Sequence, residues 1–137
     1  MTPSTDCIQR YTAEMAVVAV IGASHDRRKF GNKAVRAFLN RGYQVVPVNP
    51  CYREVEGLVA YASVLDVPFE IDIATLYLPP EVGELVVVEV VAKRIRELWL
   101  NPGADGSRVL ERARALGLEP SVGCSIIAIG ESPSDYE

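Results

Sequence analysis

The sequence predicts a three-layer α/β domain built on a five-stranded parallel sheet, and three observations predict it. Short β-branched apolar runs alternate with segments of helical period along the chain. Nearly every run ends in a turn of glycine, proline or asparagine. The 137 residues suit one such domain, and 49% hydrophobic against 23% charged residues marks a chain that buries a core rather than one that stays disordered.

The elements follow in order. Ala16-Val17-Val18-Ala19-Val20-Ile21 is continuously apolar and reads as a strand buried on both faces. Lys33 to Arg41 has helical period, with Ala34, Val35, Ala37, Phe38 and Leu39 on its apolar face and Gly42 as its stop. Tyr43 to Val48 is a second strand closed by Asn49-Pro50. Strand, helix, strand at this spacing is a βαβ unit with parallel strands and a right-handed crossover. After a loop at 51–57, Tyr61 to Leu65 reads as a short helix, and Asp72 to Leu78 as a third strand ending at Pro79-Pro80. Glu81 to Arg94 is a helix, Glu97 to Leu100 a fourth strand, Ser107 to Leu116 a helix stopped by Gly117, and Leu118 to Val122 a fifth strand. The fold-level pattern gives the strand order third, second, first, fourth, fifth. The whole of 1–137 is expected to be one domain, with 1–12 and 131–137 as loosely ordered termini.

Composition removes several classes of function. A net charge of −4 gives no basic excess with which to grip nucleic acid. No apolar run reaches the ~18 residues of a membrane span. The stretch from Met1 to Tyr11 has no apolar core of the secretory kind, so a cytoplasmic location is expected. Three widely spaced cysteines, Cys7, Cys51 and Cys124, do not form a disulfide framework. With His25 the single histidine, neither a structural zinc site nor a site needing two histidines is expected.

In open parallel sheets ligands bind beyond the strand C-termini. The turns Gly22-Ala23-Ser24, Asn49-Pro50, Pro79-Pro80, Asn101-Pro102-Gly103 and Gly123-Cys124-Ser125 therefore outline one candidate site. A glycine at a strand-to-helix turn lets backbone approach an anion, and the following helix N-terminus offers unpaired N–H groups. Ser24 adds a hydroxyl, and Arg27, Arg28 and Lys29 add positive charge. The plainer alternative is an ordinary turn followed by a solvated basic run. The dinucleotide fingerprint is absent, because the next glycine after Gly22 is Gly31, and Asn49 stands where an acidic residue holds a ribose. NAD is disfavoured on that ground, and no phosphate-binding P-loop occurs. Pro79-Pro80 is either an apolar shelf for a planar base or a rigid corner. Cys124 and His25 lie near the site, as candidate reactive groups or as a buried thiol and a solvated loop residue. The helix Glu81 to Arg94 carries two apolar stripes, Val82, Leu85, Val86 and Val90 on one and Val87, Val88 and Val91 on the other. One covers the sheet, and the other is free for a partner such as a second copy.

The combination of Val20-Ile21-Gly22-Ala23-Ser24, Lys29 with Gly31, Gly42-Tyr43, Pro47-Val48-Asn49-Pro50, Ser63 to Pro68, Pro79-Pro80 and Trp99 to Gly103 resembles the small stand-alone CoA-binding proteins. Their domain is similar to the CoA-binding domain of the succinyl-CoA synthetase alpha subunit. The resemblance extends from about Ala16 to Cys124. It implies a Rossmann-like fold with coenzyme A, or an acyl-CoA, across the strand C-termini. By that resemblance Gly22, Ala23, Ser24 and Lys29, with Arg28 beside them, hold the diphosphate. Asn49 and Pro50 flank the adenosine, Pro79 and Pro80 wall the adenine, and Asn101 and Gly103 form the fourth-strand turn. The chain departs from the family after the last strand: Val122-Gly123 precede Cys124 where Asp-Arg is common, and Ala128-Ile129 replace a Glu-His pair. Two further readings therefore stand beside a non-catalytic CoA-binding module. One is an enzyme acting on a CoA ester; the other is a protein-interaction module on the same fold, diverged or engineered, with little ligand binding.

Overall fold

A computed structural model describes residues 16–137. Strand β1 (Val17–Ile21) is an interior strand of the sheet, hydrogen-bonded in parallel to β2 (Gln44–Val48) on one side and β5 (Ile73–Leu76) on the other. Beyond β5 come β6 (Glu97–Leu100) and the two-residue β7 (Ser121–Val122), also parallel. All five residues of β1 are buried because both faces are covered. Its odd positions Val17, Ala19 and Ile21 feed one core, and Val18 and Val20 feed the other. The first core is closed by helices α2 (Pro80–Ala92) and α3 (Ser107–Ala115), the second by α1 (Phe30–Asn40) and the short α4 (Ser125–Ala128). These are the three layers that the alternation of strands and helices predicts.

The strand order differs from the expected one. It is β2-β1-β5-β6-β7, so the third predicted strand pairs with the first and not with the second. Pro47 supplies the reason. Its carbonyl accepts from Tyr61 N at 3.0 Å on the outer edge of β2, and its ring nitrogen, facing the same edge, has no hydrogen to donate. A full strand cannot be zipped on there. Tyr61 makes a single parallel bridge to Val48 and closes the edge. Two local readings are corrected with it. Tyr61 to Leu65 is not a helix; Tyr61 is in that bridge and a 3-10 turn covers Val64–Asp66. The loop after Pro50 contains a two-stranded hairpin, β3 (Glu54–Val55) and β4 (Leu58–Val59), whose turn residues Glu56 and Gly57 sit at φ 50° and 78°. Both values are positive, the pattern of a type I′ turn.

The valine-rich α2 is held by packing, since valine is a mediocre helix former. Gly83, Val87 and Val90 are buried against the sheet and α3, and a Cβ on Gly83 would stand 3.3 Å from Val109 of α3. Val82, Leu85 and Val88 remain exposed, Leu85 to 71%. The terminus at 131–137, read from its polarity as loose, lies along α1: Arg36 donates to the Tyr136 carbonyl at 2.7 Å and Asn40 to Glu131 at 2.9 Å. The other terminus, 1–12, and Cys7 fall outside the described residues.

Helices α1, α2 and α3 end alike. In each, an amide two residues past the C-cap reaches back to a carbonyl of the last turn: Tyr43 to Phe38, Ile95 to Val90, Leu118 to Ala113. The intervening residue is left-handed, at φ 89° in Gly42 and 90° in Gly117, but 63° in Arg94. Arg94→Gly removes a Cβ clash and adds chain entropy to the unfolded state, for an expected net gain of about 0.5–1 kcal/mol. Urea denaturation measures it, and a variant no more stable than the parent would show that the arginine side chain offsets its own backbone strain.

Candidate functional site

Reordering the sheet moves the point where strand order reverses. It lies between β1 and β5, and a cleft of about 490 Å³ opens there, beyond their C-terminal ends. One wall comes from the turn after β1 and the start of α1: Gly22, Ser24, Lys29, Phe30 and Gly31. Facing it are Tyr77, Leu78, Pro79 and Pro80 after β5, then Pro102, Gly103 and Ala104 after β6. Asn49 and Tyr52 close the end nearest β2.

The Gly22 turn is set by tight backbone packing. Gly22 N donates to the Val48 carbonyl at 2.9 Å, and its φ is 97°. A Cβ at Gly22 would drive into the Tyr77 carbonyl, and one at Gly31 into the Gly22 carbonyl. Helix α1 thus starts as close to the end of β1 as two backbones allow. The helix has no side-chain cap and no acidic residue in its first turn. The Lys29 and Asn32 amides bond to backbone carbonyls, while the Phe30 and Gly31 N–H groups and the positive dipole end meet no side-chain cap at the cleft wall, with Lys29 at the N-cap position.

The loop between Gly22 and α1 is braced from within and from the hairpin. Ser24 Oγ accepts from Asp26 N at 3.0 Å, and the Ser24 carbonyl accepts from Asn32 Nδ2 at 2.8 Å. Asn49 Nδ2 donates to the Ala23 carbonyl at 2.8 Å. His25 donates from Nε2 to the Glu54 carbonyl, and its ring lies 4.2 Å from that of Tyr52. Glu56 reaches Arg27 at 3.3 Å and Asn32 at 3.2 Å. His25 is therefore a strut between loop and hairpin.

Of the residues expected at the site, Gly22, Ser24, Lys29, Asn49, Pro79, Pro80 and Gly103 line this one cleft. The others are elsewhere. Ala23 is fully buried in the core under α1, so it offers a ligand no side chain. Arg28 turns to Asp26, bonded at 3.0 Å, with its own side chain 91% exposed; Arg28 holds the Asp26 carboxyl down to about 2. Pro50 lines a second cavity with Asn49. Asn101 is buried, joining three elements: its Nδ2 donates to Thr75 Oγ1 at 2.7 Å and to the Leu76 carbonyl at 2.9 Å, and its Oδ1 accepts from Ser125 N at 2.8 Å.

Tyr52 and Tyr77 escaped the sequence reading, although both stand within three residues after a strand-ending turn or strand, where the rule for parallel sheets directs attention. Burial pushes the Tyr77 phenol up to about 12, so it stays neutral at physiological pH, bonded to Ser125 Oγ at 3.1 Å. Cys124 is half-buried at the N-cap of α4, and Cys51 is exposed.

The second cavity, of about 400 Å³, lies on the β2 side and shares Gly22, Asn49 and Leu78 with the cleft. Its wall is mostly apolar: Ile21, Val48, Pro50 and Val64, with Val82, Leu85 and Val86 from α2. Ser63 and Glu89 complete it. Among the described residues no group of three potential metal ligands occurs, and no helix is long and apolar enough to cross a membrane.

A sequence profile of the CoA binding domain family matches residues 16–129, from the first strand through α4. The chain belongs to this family. This CoA binding domain is 39% identical over 79 residues to acetate–CoA ligase (ADP-forming) I of Archaeoglobus fulgidus, covering 58% of the chain and 12% of the ligase. It is 31% identical to the alpha subunit of acetate–CoA ligase (ADP-forming) I of Pyrococcus furiosus, covering 85% of the chain and 29% of the subunit. The chain thus spans less than a third of either relative. A solved conserved hypothetical protein of Pyrococcus furiosus superposes with a TM-score of 0.76 at 34% identity, covering 83% of this chain and 98% of that one.

Proposed function

We propose that the protein binds coenzyme A or an acyl-CoA in the cleft and its adjoining cavity, as a binding module without chemistry of its own. One observation carries the reading. In a chain of the CoA binding domain family, the uncapped N-terminus of α1, the Gly22 turn and Lys29 converge on one wall at the switch point of the sheet. The diphosphate lies against that wall, where N–H dipoles and one ammonium offset its charge. The base end turns toward the apolar cavity beside Asn49 and Pro50, and the pantetheine arm runs past Pro79 and Pro80 toward Gly103. Two groups that catalysis could use are placed otherwise: His25 is tied to Glu54 and Tyr52, and Cys124 is not part of the cleft wall.

Calorimetric titration of CoA, with NAD and ATP as controls, tests the proposal. CoA is expected to bind and the controls to bind far more weakly. Lys29→Ala is expected to weaken CoA ~10-fold, the size of one charge-assisted contact. Lys29 is exposed, so its loss does not touch the core. Gly22→Val is a poorer probe, since its side chain would meet the Tyr77 backbone and disturb the fold itself. A parent protein that binds none of the three ligands would end the proposal.

A second reading, a contact with another protein or a second copy through α2, is favoured by the exposed Val82, Leu85 and Val88. Val82 and Leu85 also line the apolar cavity, so a bound base would cover part of the same surface. Sedimentation at high concentration, with and without CoA, separates the two. Self-association that CoA leaves unchanged would favour the interface, and a monomer in both states would remove the second-copy version.

A further inference from the structure

The apolar cavity contains a polar feature that phosphate binding does not use. Glu89, on the cavity side of α2, accepts a hydrogen bond from the Ser63 hydroxyl. That hydroxyl has one proton, given to Glu89 Oε1, and its oxygen accepts from Leu65 N at 3.1 Å. Ser63 thereby has no proton left to donate, and the carboxylate is held by it. Among the described residues Glu89 Oε2 has no hydrogen-bond partner. Asn49, the amide side chain of the wall, already gives one Nδ2 proton to the Ala23 carbonyl and accepts from Cys51 N at Oδ1. Within the cavity, Glu89 is the charged acceptor that a ligand would meet.

We propose that the Ser63–Glu89 pair reads the base of the bound nucleotide, selecting a purine that carries a 6-amino group over one that carries a 6-oxo group. The proposal rests on the CoA reading above and deepens it. A planar base entering from the shared wall at Gly22, Asn49 and Leu78 lies between the aliphatic side chains of Val48, Val64 and Leu85. Its far edge meets Glu89. A carboxylate only accepts, so an adenine amino group donates to Oε2, while in the same position the oxygen of a 6-oxo purine faces it lone pair to lone pair and the neighbouring N1–H reaches the carboxylate only by shifting the base in the cavity. A cavity with aliphatic walls alone would hold the two bases alike. A fixed acceptor instead leaves the wrong base with an unmade bond and a repulsion, the condition under which binding sites discriminate strongly.

The test uses the full chain, titrated calorimetrically with CoA and with the analogue in which hypoxanthine replaces adenine. The parent is expected to bind CoA at least ~10-fold more tightly, the scale of one charge-assisted hydrogen bond. Glu89→Gln keeps the shape and the bond from Ser63 but turns an amide N–H toward the base. It is expected to bring the ratio to about one or below, by weakening CoA and favouring the 6-oxo base. A parent that binds both ligands equally overturns the inference and leaves CoA binding intact, as does a Glu89→Gln protein that binds CoA with the parent's ratio. A parent that binds neither ligand overturns both. The comparison within the parent needs no variant, so a Glu89→Gln chain that failed to fold would not shelter the inference.

Discussion

Replacing Gly31 by alanine is expected to destabilise the protein by about 3 kcal/mol or more, the range of severe backbone overpacking. Helix propensity alone gives the opposite sign, since alanine in the first turns of α1 is better than glycine by about 1 kcal/mol. The two effects are not of equal weight here. The new Cβ would drive into the Gly22 carbonyl oxygen, and Gly22 has nowhere to go. Its amide is bonded to Val48, and its own Cα faces the Tyr77 carbonyl, which belongs to the chain leaving β5. Relief requires α1 to lift away from the sheet, which uncovers Ala34, Ala37 and Phe38. Urea denaturation gives the number, and CoA titration of whatever remains folded should show the cleft wall displaced. An alanine variant as stable as the parent would mean that the helix does not approach the strand end this closely.

The second large effect is expected at Asn101. Its side chain bonds Thr75, Leu76 and Ser125, tying β6 to β5 and to the start of α4 in a site only 1% exposed. Asn101→Ala strips the partner from the Ser125 amide and from one side of Thr75, and leaves a cavity the size of an amide. The expected loss is about 2–4 kcal/mol, from unpaired buried polar groups and lost packing. Because Asn101 lies beneath the cleft and does not line it, the CoA affinity of the folded variant is expected to stay within a few-fold of the parent. Denaturation and titration on the same sample separate the roles. A stable variant that had lost CoA binding would restore Asn101 to the ligand site, where the resemblance had put it.

That reassignment marks a limit of reading a turn from its sequence. Asn101-Pro102-Gly103 does end a strand at the edge where the cleft opens, and Pro102 and Gly103 do line the cleft. Which of three adjacent residues points outward depends on strand register, and register comes from partners more than twenty positions away. Ala23 shows the same limit: between Gly22 and Ser24 in sequence, its side chain is buried in the core, which leaves only its backbone to meet a ligand. Tyr77 follows β5 directly, but the expected strand, Asp72 to Leu78, runs two residues past the observed end at Leu76 and encloses it.

The strand order is a different case, since its signal was present. Pro47 stands inside an otherwise good strand, and proline within a sheet marks an edge. The expected order made that strand an interior one. Taken at face value, Pro47 excludes that order and leaves the observed one, with β2 outermost. The hairpin at Glu54–Val59 gave no such warning. Its turn is Glu56-Gly57, and glutamate is not a residue that announces a left-handed position. The contacts of Glu56 with Arg27 and Asn32, which accompany that conformation, form only once the loop after β1 is in place.

The sequence by itself determined the alternation of strands and helices, the parallel sheet, and the end of the sheet at which the cleft opens. Those follow from hydrophobic period and turn chemistry, which act over a few residues and are written locally. The tertiary structure alone decided which residues share the cleft, that Arg28 belongs to Asp26, and that Asn101 is a buried tie. It also decided that Ser63 and Glu89, 26 positions apart, hold one acceptor in an apolar wall. Each of these depends on a hydrogen bond or a close approach between segments whose nearness is set by the packing of the layers, and a linear pattern carries no record of that distance.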